Sequence, residues 1–172
     1  ARSLTTAGHR DGITTEALFI SPRSLALDSE ENLYVLDDIH WSSGTQAGPT
    51  VRKITTSGKV TTLAGQYNTS PGLVNGNASE AVFTFSYRES VYSNANLALD
   101  SKDNIYIADP KHSVIRKITP TGQVTTFAGT ADVHGFLADD LPGVMNRPLG
   151  VAVHKDALYF SMRSAVGKIN LN

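Results

Sequence analysis

Cysteine is absent from the 172-residue sequence. The chain therefore has no disulfide framework, no thiolate nucleophile and no cysteine-based zinc site. Three catalytic fingerprints are missing as well: the Gly-x-Ser-x-Gly elbow, the phosphate-binding P-loop and the glycine-rich dinucleotide motif. The five histidines lack metal-ligand spacing, and the adjacent Asp139 and Asp140 are typical of a solvated turn. We predict no catalytic residues, no metal site and no cofactor.

An excess of charge of either sign is also absent, because 15 Lys and Arg face 16 Asp and Glu for a net charge of -1. Nucleic-acid binding needs a basic excess that displaces counterions, so nucleic acid is not an expected partner. No apolar run approaches the roughly 20 residues that a membrane-spanning helix needs, so no membrane contact is predicted. The first residues lack the apolar core of a signal peptide, although removal of a leader would leave the same start.

One sequence unit occurs twice almost intact and a third time in a degraded form. Its four segments are Leu-Ala-Leu-Asp, Asn-(Leu/Ile)-Tyr-(Val/Ile)-x-Asp, (Val/Ile)-Arg-Lys-Ile-Thr and Val-Thr-Thr-(Leu/Phe)-Ala-Gly. They begin at residues 25, 32, 51 and 60 in the first copy, at 97, 104, 115 and 124 in the second, and at 151, 157 and 166 in the third, which stops before the last segment.

The segments are short, rich in β-branched residues and tyrosine, and separated by turn residues such as Ser57-Gly58 and Thr121-Gly122. This pattern predicts a four-stranded antiparallel meander for each intact unit. No long segment has the apolar spacing of a helix, so the fold class is predicted to be all-β. Four-stranded units of this size arranged radially define a β-propeller.

The order of these segments resembles the NHL repeat family. The resemblance covers blades at about 22–65, 95–129 and 148–172, within a single domain of residues 1–172. The segment 11–22, with Asp-Gly, Ala, Phe and Pro at intervals, resembles the linker of one NHL subgroup. The resemblance implies a β-propeller of NHL-type four-stranded blades, with three blades per chain.

The two ends of the sequence are complementary. The third copy lacks a fourth strand, while Leu4-Thr5-Thr6-Ala7-Gly8 is a shortened version of that strand. Propellers close in this way because a closed ring has no exposed sheet edge. Three blades are too few, since propellers typically have about 4–8.

We therefore predict a homodimer by N-terminal strand exchange. In it, residues 2–7 of one chain form the outer strand of the blade at 148–172 of the other, and two chains make a six-bladed ring. The rival explanation is that the chain is a fragment, or one part, of a longer propeller.

An Asp ends the second strand of each intact copy, and an Arg follows the first residue of the third segment. The third copy has lost both, which indicates that they work as a pair. We predict a structural ion pair in each blade and no catalytic role. The Asp before the first turn is predicted to accept backbone N–H bonds there. The pairs are Asp37 with Arg52 and Asp109 with Arg116, their replacements are Met162 and Gly167, and the turn residues are Asp28 and Asp100.

A loop inserted between strands, residues 39–50, is the first candidate binding region. It contains His40 and the only tryptophan, Trp41. An exposed aromatic in such a loop suits a contact hot spot or a sugar-stacking platform, and packing over the blade rim is the alternative.

The long loop 66–80 is the second variable region, and its Tyr67 is the third candidate binding residue. Asn68 and Asn77 begin Asn-x-Ser/Thr sequons, which are glycosylation sites if the protein passes through a eukaryotic secretory pathway. The sequons slightly favour an extracellular location and leave the compartment open.

The NHL resemblance implies a non-enzymatic binding or scaffolding module that presents its rim loops to a protein or carbohydrate partner. The alternative is an enzyme, because related six-bladed propellers include metal-dependent, lactonase-like hydrolases and lyase-like families. The predicted inner strands at 25–27 and 97–99 offer mostly apolar and small side chains, which weakens the enzyme alternative. A fold does not dictate a function, so the ligand is left open at this level.

Overall fold

A computed structural model of the chain describes residues 7–13, 15–38, 48–85, 95–135 and 143–171. Within these ranges the regular elements are β-strands and no residue is helical, which confirms the all-β prediction. The strands are β1 (Gly12–Ile13), β2 (Pro22–Leu27), β3 (Leu33–Asp37), β4 (Thr50–Ile54), β5 (Lys59–Ala64), β6 (Leu97–Leu99), β7 (Ile105–Asp109), β8 (Val114–Ile118), β9 (Val124–Ala128), β10 (Gly150–His154), β11 (Ala157–Met162) and β12 (Ala165–Asn170).

The described strands form three antiparallel sheets. The first sheet has the order β1-β5-β4-β3-β2, the second β6-β7-β8-β9 and the third β10-β11-β12. Apart from β1, strands that follow one another in sequence are neighbours in the sheet, so each sheet is a meander. Residues 1–6, most of the predicted closing strand, lie outside the described residues.

Turn chemistry sets the ends of the strands. Between β4 and β5, and between β8 and β9, the chain reverses through Gly58 and Gly122, whose φ angles are 82° and 85°. In both turns a threonine backbone N–H closes the hairpin, as in the 2.9 Å bond from Thr55 N to Lys59 O. A positive φ carries little steric cost for glycine, so the Ser-Gly and Thr-Gly pairs mark turns already in the sequence.

A β-bulge recurs beside the arginine of the third repeat segment in the first two sheets. Val51 pairs with Ala64 but Arg52 pairs with Thr62, so Leu63 is an extra residue in β5. The same shift occurs between Ile115 and the next residue of β8. A bulge bends the strand and redirects a side chain.

The sheets pack face to face through two apolar clusters, with the second sheet in the middle. The first cluster joins the first two sheets, and its fully buried members include Leu36, Val51 and Ile107. The second joins the last two sheets through residues such as Ile115 and Leu158. The strands formed by the first segment of each repeat copy are β2, β6 and β10; we call them the first strands. They lie side by side, so the sheets radiate from them.

Candidate functional site

Arg52 is fully buried in the first sheet and holds the segment that precedes it. Its Nη1 donates to Leu18 O at 3.1 Å, and its Nη2 donates to Arg10 O at 2.9 Å and to Asp11 Oδ1 at 2.7 Å. Nη1 lies 3.5 Å from Asp37 Oδ2. The guanidinium therefore joins one strand of the sheet to both ends of the linker at 10–18. We call this set of contacts the clamp.

The two carboxylates around this guanidinium extend the clamp. Asp37 accepts backbone N–H bonds from Ile20 at 3.0 Å and Ser21 at 2.8 Å. Burial raises the pKa of Asp37, although these hydrogen bonds act to lower it. Asp11 accepts from Thr62 N at 2.9 Å and Thr62 Oγ1 at 3.0 Å. Although partial burial opposes it, these bonds and the nearby Arg52 charge lower the pKa of Asp11.

The second sheet repeats the clamp around Arg116 with different partners. Its guanidinium donates to Val82 O at 3.3 Å, Val74 O at 2.8 Å and Asn75 Oδ1 at 3.0 Å. Among the described residues Asp109 forms no ion pair with Arg116, unlike the pair predicted for this blade. Asp109 instead bonds His112, accepting from its backbone N at 3.1 Å and lying 3.0 Å from its Nδ1. The side chain of Asp109 thus closes the loop between β7 and β8.

In the third sheet, the apolar residues Met162 and Gly167 occupy the positions of the aspartate and the arginine. Asn146 N donates to Met162 Sδ at 3.3 Å, where Ile20 N in the first sheet donates to a carboxylate. Gly167 pairs with Phe160 across the strands, and the Phe160 ring covers the site where its Cβ would stand. An aromatic ring over a strand glycine compensates for the missing side chain. These contacts assign all three versions to holding the linkers in place.

Tyr67 follows β5, at the opposite end of the first sheet from the turn after β2. His40 and Trp41 lie outside the described residues. The Tyr67 ring stacks on His9, with centroids 4.6 Å apart and planes 9° from parallel, so one of its faces is covered. Asn68 and Asn77 are both exposed, and Asn77 Oδ1 accepts from the hydroxyl and N–H of its sequon serine.

An open cavity of about 400 Å³ lies where the first strands of the three sheets end. It is lined by residues 27–29, by residues 99–101 with Asp103, and by residues 153–155. Because β2, β6 and β10 lie side by side, the three turns that follow them share one rim. Concave sites with a few convergent polar groups are the usual places for ligands. We call this cavity the channel mouth.

Two of the three aspartates of the channel mouth, Asp28 and Asp100, accept several hydrogen bonds within their own turns. Asp28 accepts from Glu30 N at 3.0 Å, Asn32 N at 2.8 Å, Asn32 Nδ2 at 2.9 Å and Tyr34 Oη at 3.1 Å, and its Oδ2 lies 3.3 Å from Lys53 Nζ. Although burial opposes it, these hydrogen bonds lower the pKa of Asp28 to about 2.

Asp100 repeats this arrangement in the second sheet. It accepts from Lys102 N at 2.9 Å, Asn104 N at 2.9 Å and Tyr106 Oη at 3.1 Å, and its pKa is also lowered. A carboxylate that satisfies a turn in this way is a poor proton donor near neutral pH and has few lone pairs left for a metal.

Two hydrogen bonds join the first and second sheets at the rim of the channel mouth. Asp103 accepts from Ser29 N at 2.9 Å and from Ser29 Oγ at 2.7 Å. Its backbone has a φ of 58°, in the left-handed region that aspartate tolerates better than most residues. Neither this contact nor the place of His154 and Lys155 in the cavity was predicted from the sequence. Their signal was positional, because all these residues lie at or just after the end of the first strand of a repeat.

Acid is expected to weaken the fold through Asp28 and Asp100. A carboxyl whose folded pKa lies below its unfolded value stabilises the protein above the unfolded pKa, and that contribution is lost as pH falls. The free energy of unfolding should therefore fall between about pH 4 and pH 2, measured by urea denaturation. Asp28→Asn should flatten this dependence, whereas Asp156→Asn, at an exposed turn, should leave it unchanged. An equal slope in Asp28→Asn and the parent would contradict the assignment.

Among the described residues, no three His, Asp or Glu side chains come together as a metal site. In the same part of the chain, no helix is long and apolar enough to cross a membrane.

No protein-family model matches the chain, and no curated protein matches it. Solved structures do match. A structural genomics protein of unknown function from Bacteroides thetaiotaomicron is 23% identical, with a TM-score of 0.62 over 92% of this chain and 35% of that protein. An auxiliary nutrient binding protein from the same species is 18% identical, with a TM-score of 0.58 over 84% of this chain and 36% of the other.

The auxiliary nutrient binding protein of Bacteroides ovatus is 19% identical, with a TM-score of 0.56 over 81% of this chain and 34% of the other. The chain has a propeller-like all-β fold. It spans about a third of the length of these solved relatives. At these identities the likeness concerns the fold, and the NHL assignment stays a prediction from the sequence.

Proposed function

We propose that the chain is a non-enzymatic binding module. In this proposal the three sheets are NHL-type blades, half of a six-bladed ring completed by a second copy, and the channel mouth binds an oligosaccharide. The observation that carries the proposal is the state of the mouth aspartates. Asp28 and Asp100 are the carboxylates at the ends of the first strands, and both are occupied as turn acceptors with lowered pKa values.

The rest of the channel mouth offers polar groups to a ligand. The side chains of His154 and Lys155 make no hydrogen bond or ion pair with other described residues, so their donors are open to a ligand in the cavity. Ser101 adds a hydroxyl to the same rim. Polyhydroxylated ligands are recognised by such a mixture of donors and acceptors around an open cleft.

Two of the solved proteins that share the fold are described as auxiliary nutrient binding proteins. The proposal puts this chain in the same broad class, binding. An enzyme that used a carboxylate of the channel mouth as general acid or base, or as a metal ligand, would need that carboxylate free, and the contacts of Asp28 and Asp100 argue against it.

Isothermal titration with maltohexaose, xylohexaose and chitohexaose tests the proposal. We expect one of them to bind, and the double variant His154→Ala/Lys155→Ala to weaken that binding at least tenfold. Lys102→Ala is the matched control, because this exposed lysine lies in the turn after β6 but outside the cavity lining. Absence of heat with all three sugars at millimolar concentration, or binding that the double variant leaves unchanged, would refute the channel-mouth site.

A further inference from the structure

The outward face of the first sheet carries exposed leucines. Leu25 and Leu27 on β2 are each 60% exposed. Their counterparts in the second sheet, Leu97 and Leu99, pack in the cluster between the first two sheets, and Leu97 is 4% exposed. Where a preceding sheet is present, the first of these repeat positions is buried and the second is partly buried. We call the surface around Leu25 and Leu27 the leading face.

The outward face of the third sheet shows the reverse pattern. Tyr159 is 38% exposed and Val166 is 75% exposed. Their counterparts in the second sheet, Tyr106 and Ile115, are 1% and 0% exposed, because the third sheet covers them. Ala152, on the neighbouring strand, is exposed as well. We call this surface the trailing face.

The two internal interfaces show what each face fits. Leu97 and Leu99 of the second sheet share one cluster with Tyr34 and Val51, which lie on the side of the first sheet that faces the second. The residues of the third sheet at the positions of that tyrosine and valine are the exposed ones of the trailing face. The leading face therefore matches the trailing face of the same chain, as a further repeat of the contact already made twice.

One strand edge continues the same match. In the first two sheets the third strand pairs with a Val-Thr-Thr strand, as β4 does with β5 and β8 with β9. The described residues place no strand on the outer edge of β12. The sequence of the chain repeats that strand a third time, as Leu4-Thr5-Thr6-Ala7.

We propose that the leading face of one copy of this chain binds the trailing face of a second copy, and that two such contacts close a two-fold ring. The inference rests on the propeller assignment of the proposed function. Packing one sheet on the next buries Leu25, Leu27, Tyr159 and Val166, as it buries their counterparts inside the chain. A head-to-tail contact whose rotation closes gives a finite assembly without open faces.

Analytical ultracentrifugation between about 1 and 100 µM, the usual range for weak self-association, tests the contact. The parent chain should sediment as a species of twice 18.4 kDa. Leu25→Asp/Leu27→Asp and, separately, Val166→Asp should raise the dimer dissociation constant at least tenfold. Ile13→Asp is the matched control, because Ile13 is 54% exposed but lies on β1, away from both faces.

Mixing the two variants separates this geometry from other dimers. One variant keeps its trailing face and the other keeps its leading face, so the mixture should associate more strongly than either variant alone. In the other kind of dimer, one face of a copy binds the same face of a second copy. One variant would then lose the dimer, the other variant would keep it, and mixing would not strengthen the association. A cooperative thermal transition and a far-ultraviolet circular dichroism spectrum equal to that of Ile13→Asp check that each variant is folded, since loss of the dimer by itself lowers the midpoint.

A parent chain that stays monomeric at the highest concentration, or a Val166→Asp variant that dimerises like the parent, would overturn the inference. The sugar titration is read on the same samples. A monomer that binds sugar would refute the ring and leave the channel-mouth proposal standing, whereas a dimer that binds none would do the opposite.

Discussion

Replacing Arg52 with alanine is expected to lower the free energy of unfolding by about 3–5 kcal/mol, the usual cost of removing one partner of a buried ion pair. The side chain is fully buried and donates to two carbonyls and a carboxylate. Its loss leaves Asp37 buried without its cation and frees the linker at 10–18. Urea denaturation followed by far-ultraviolet circular dichroism measures the change.

Lys102→Ala is the control for this measurement, because the side chain is exposed and its loss should change stability by less than about 0.5 kcal/mol.

The third sheet suggests a second test. The triple variant Val35→Phe/Asp37→Met/Arg52→Gly copies the apolar arrangement of Phe160, Met162 and Gly167 into the first sheet. It should recover part of the stability lost in Arg52→Ala, since buried ion pairs are often replaceable by packed apolar groups. An Arg52→Ala chain as stable as the parent would show that the clamp contributes little.

Replacing Gly65 with alanine is expected to be the second severe change. Gly65 follows β5 directly with a φ of 96°, and a Cβ there would lie 2.6 Å from Pro49 O and 3.0 Å from Phe83 Cδ2. The backbone strain alone costs about 1–3 kcal/mol, and the clash with the Pro49 carbonyl adds to it. Gly129, at the same place after β9, is bound by the same constraint.

Gly72→Ala is the matched control for the Gly65 variant. It lies in the linker between the first two sheets, has no positive φ, and its Cβ would meet only Val82 Cγ1 at 3.6 Å. Thermal unfolding should show a clearly lower midpoint for Gly65→Ala and an unchanged one for Gly72→Ala. Equal midpoints would mean that the β5 terminus relaxes to accept a side chain.

The clamp shows how far the repeats could be interpreted without coordinates. Asp37 and Arg52 stood out because the third copy lacks both residues. The partners of Arg116 could not be predicted, because two of them are backbone carbonyls of a linker, Val82 and Val74, which lie 34 and 42 positions away in sequence. Carbonyls leave no mark in a sequence, so contacts to them cannot be inferred from residue types.

The channel mouth shows a similar limit. The role of Asp28 and Asp100 as turn acceptors was predictable, because Asp before a turn bonds the N–H groups that follow it. The contact between Ser29 and Asp103 was not, since it joins two copies of the repeat. Tyr67 was predicted as a binding residue because it lies in the long loop 66–80, and the structure places its ring against His9. For His40 and Trp41 the prediction stands as made, because they lie outside the described residues.

The sequence by itself determined the local features of this protein. β-Branched segments, glycine turns and repeated aspartates specify strands and hairpins, because these depend on neighbouring residues and on backbone geometry. Only the tertiary structure decided which surfaces are covered. Leu25 and Leu97 occupy the same position in near-identical segments, yet one is 60% exposed and the other 4%. Burial depends on what stands opposite a residue, and that is a property of the assembled sheets.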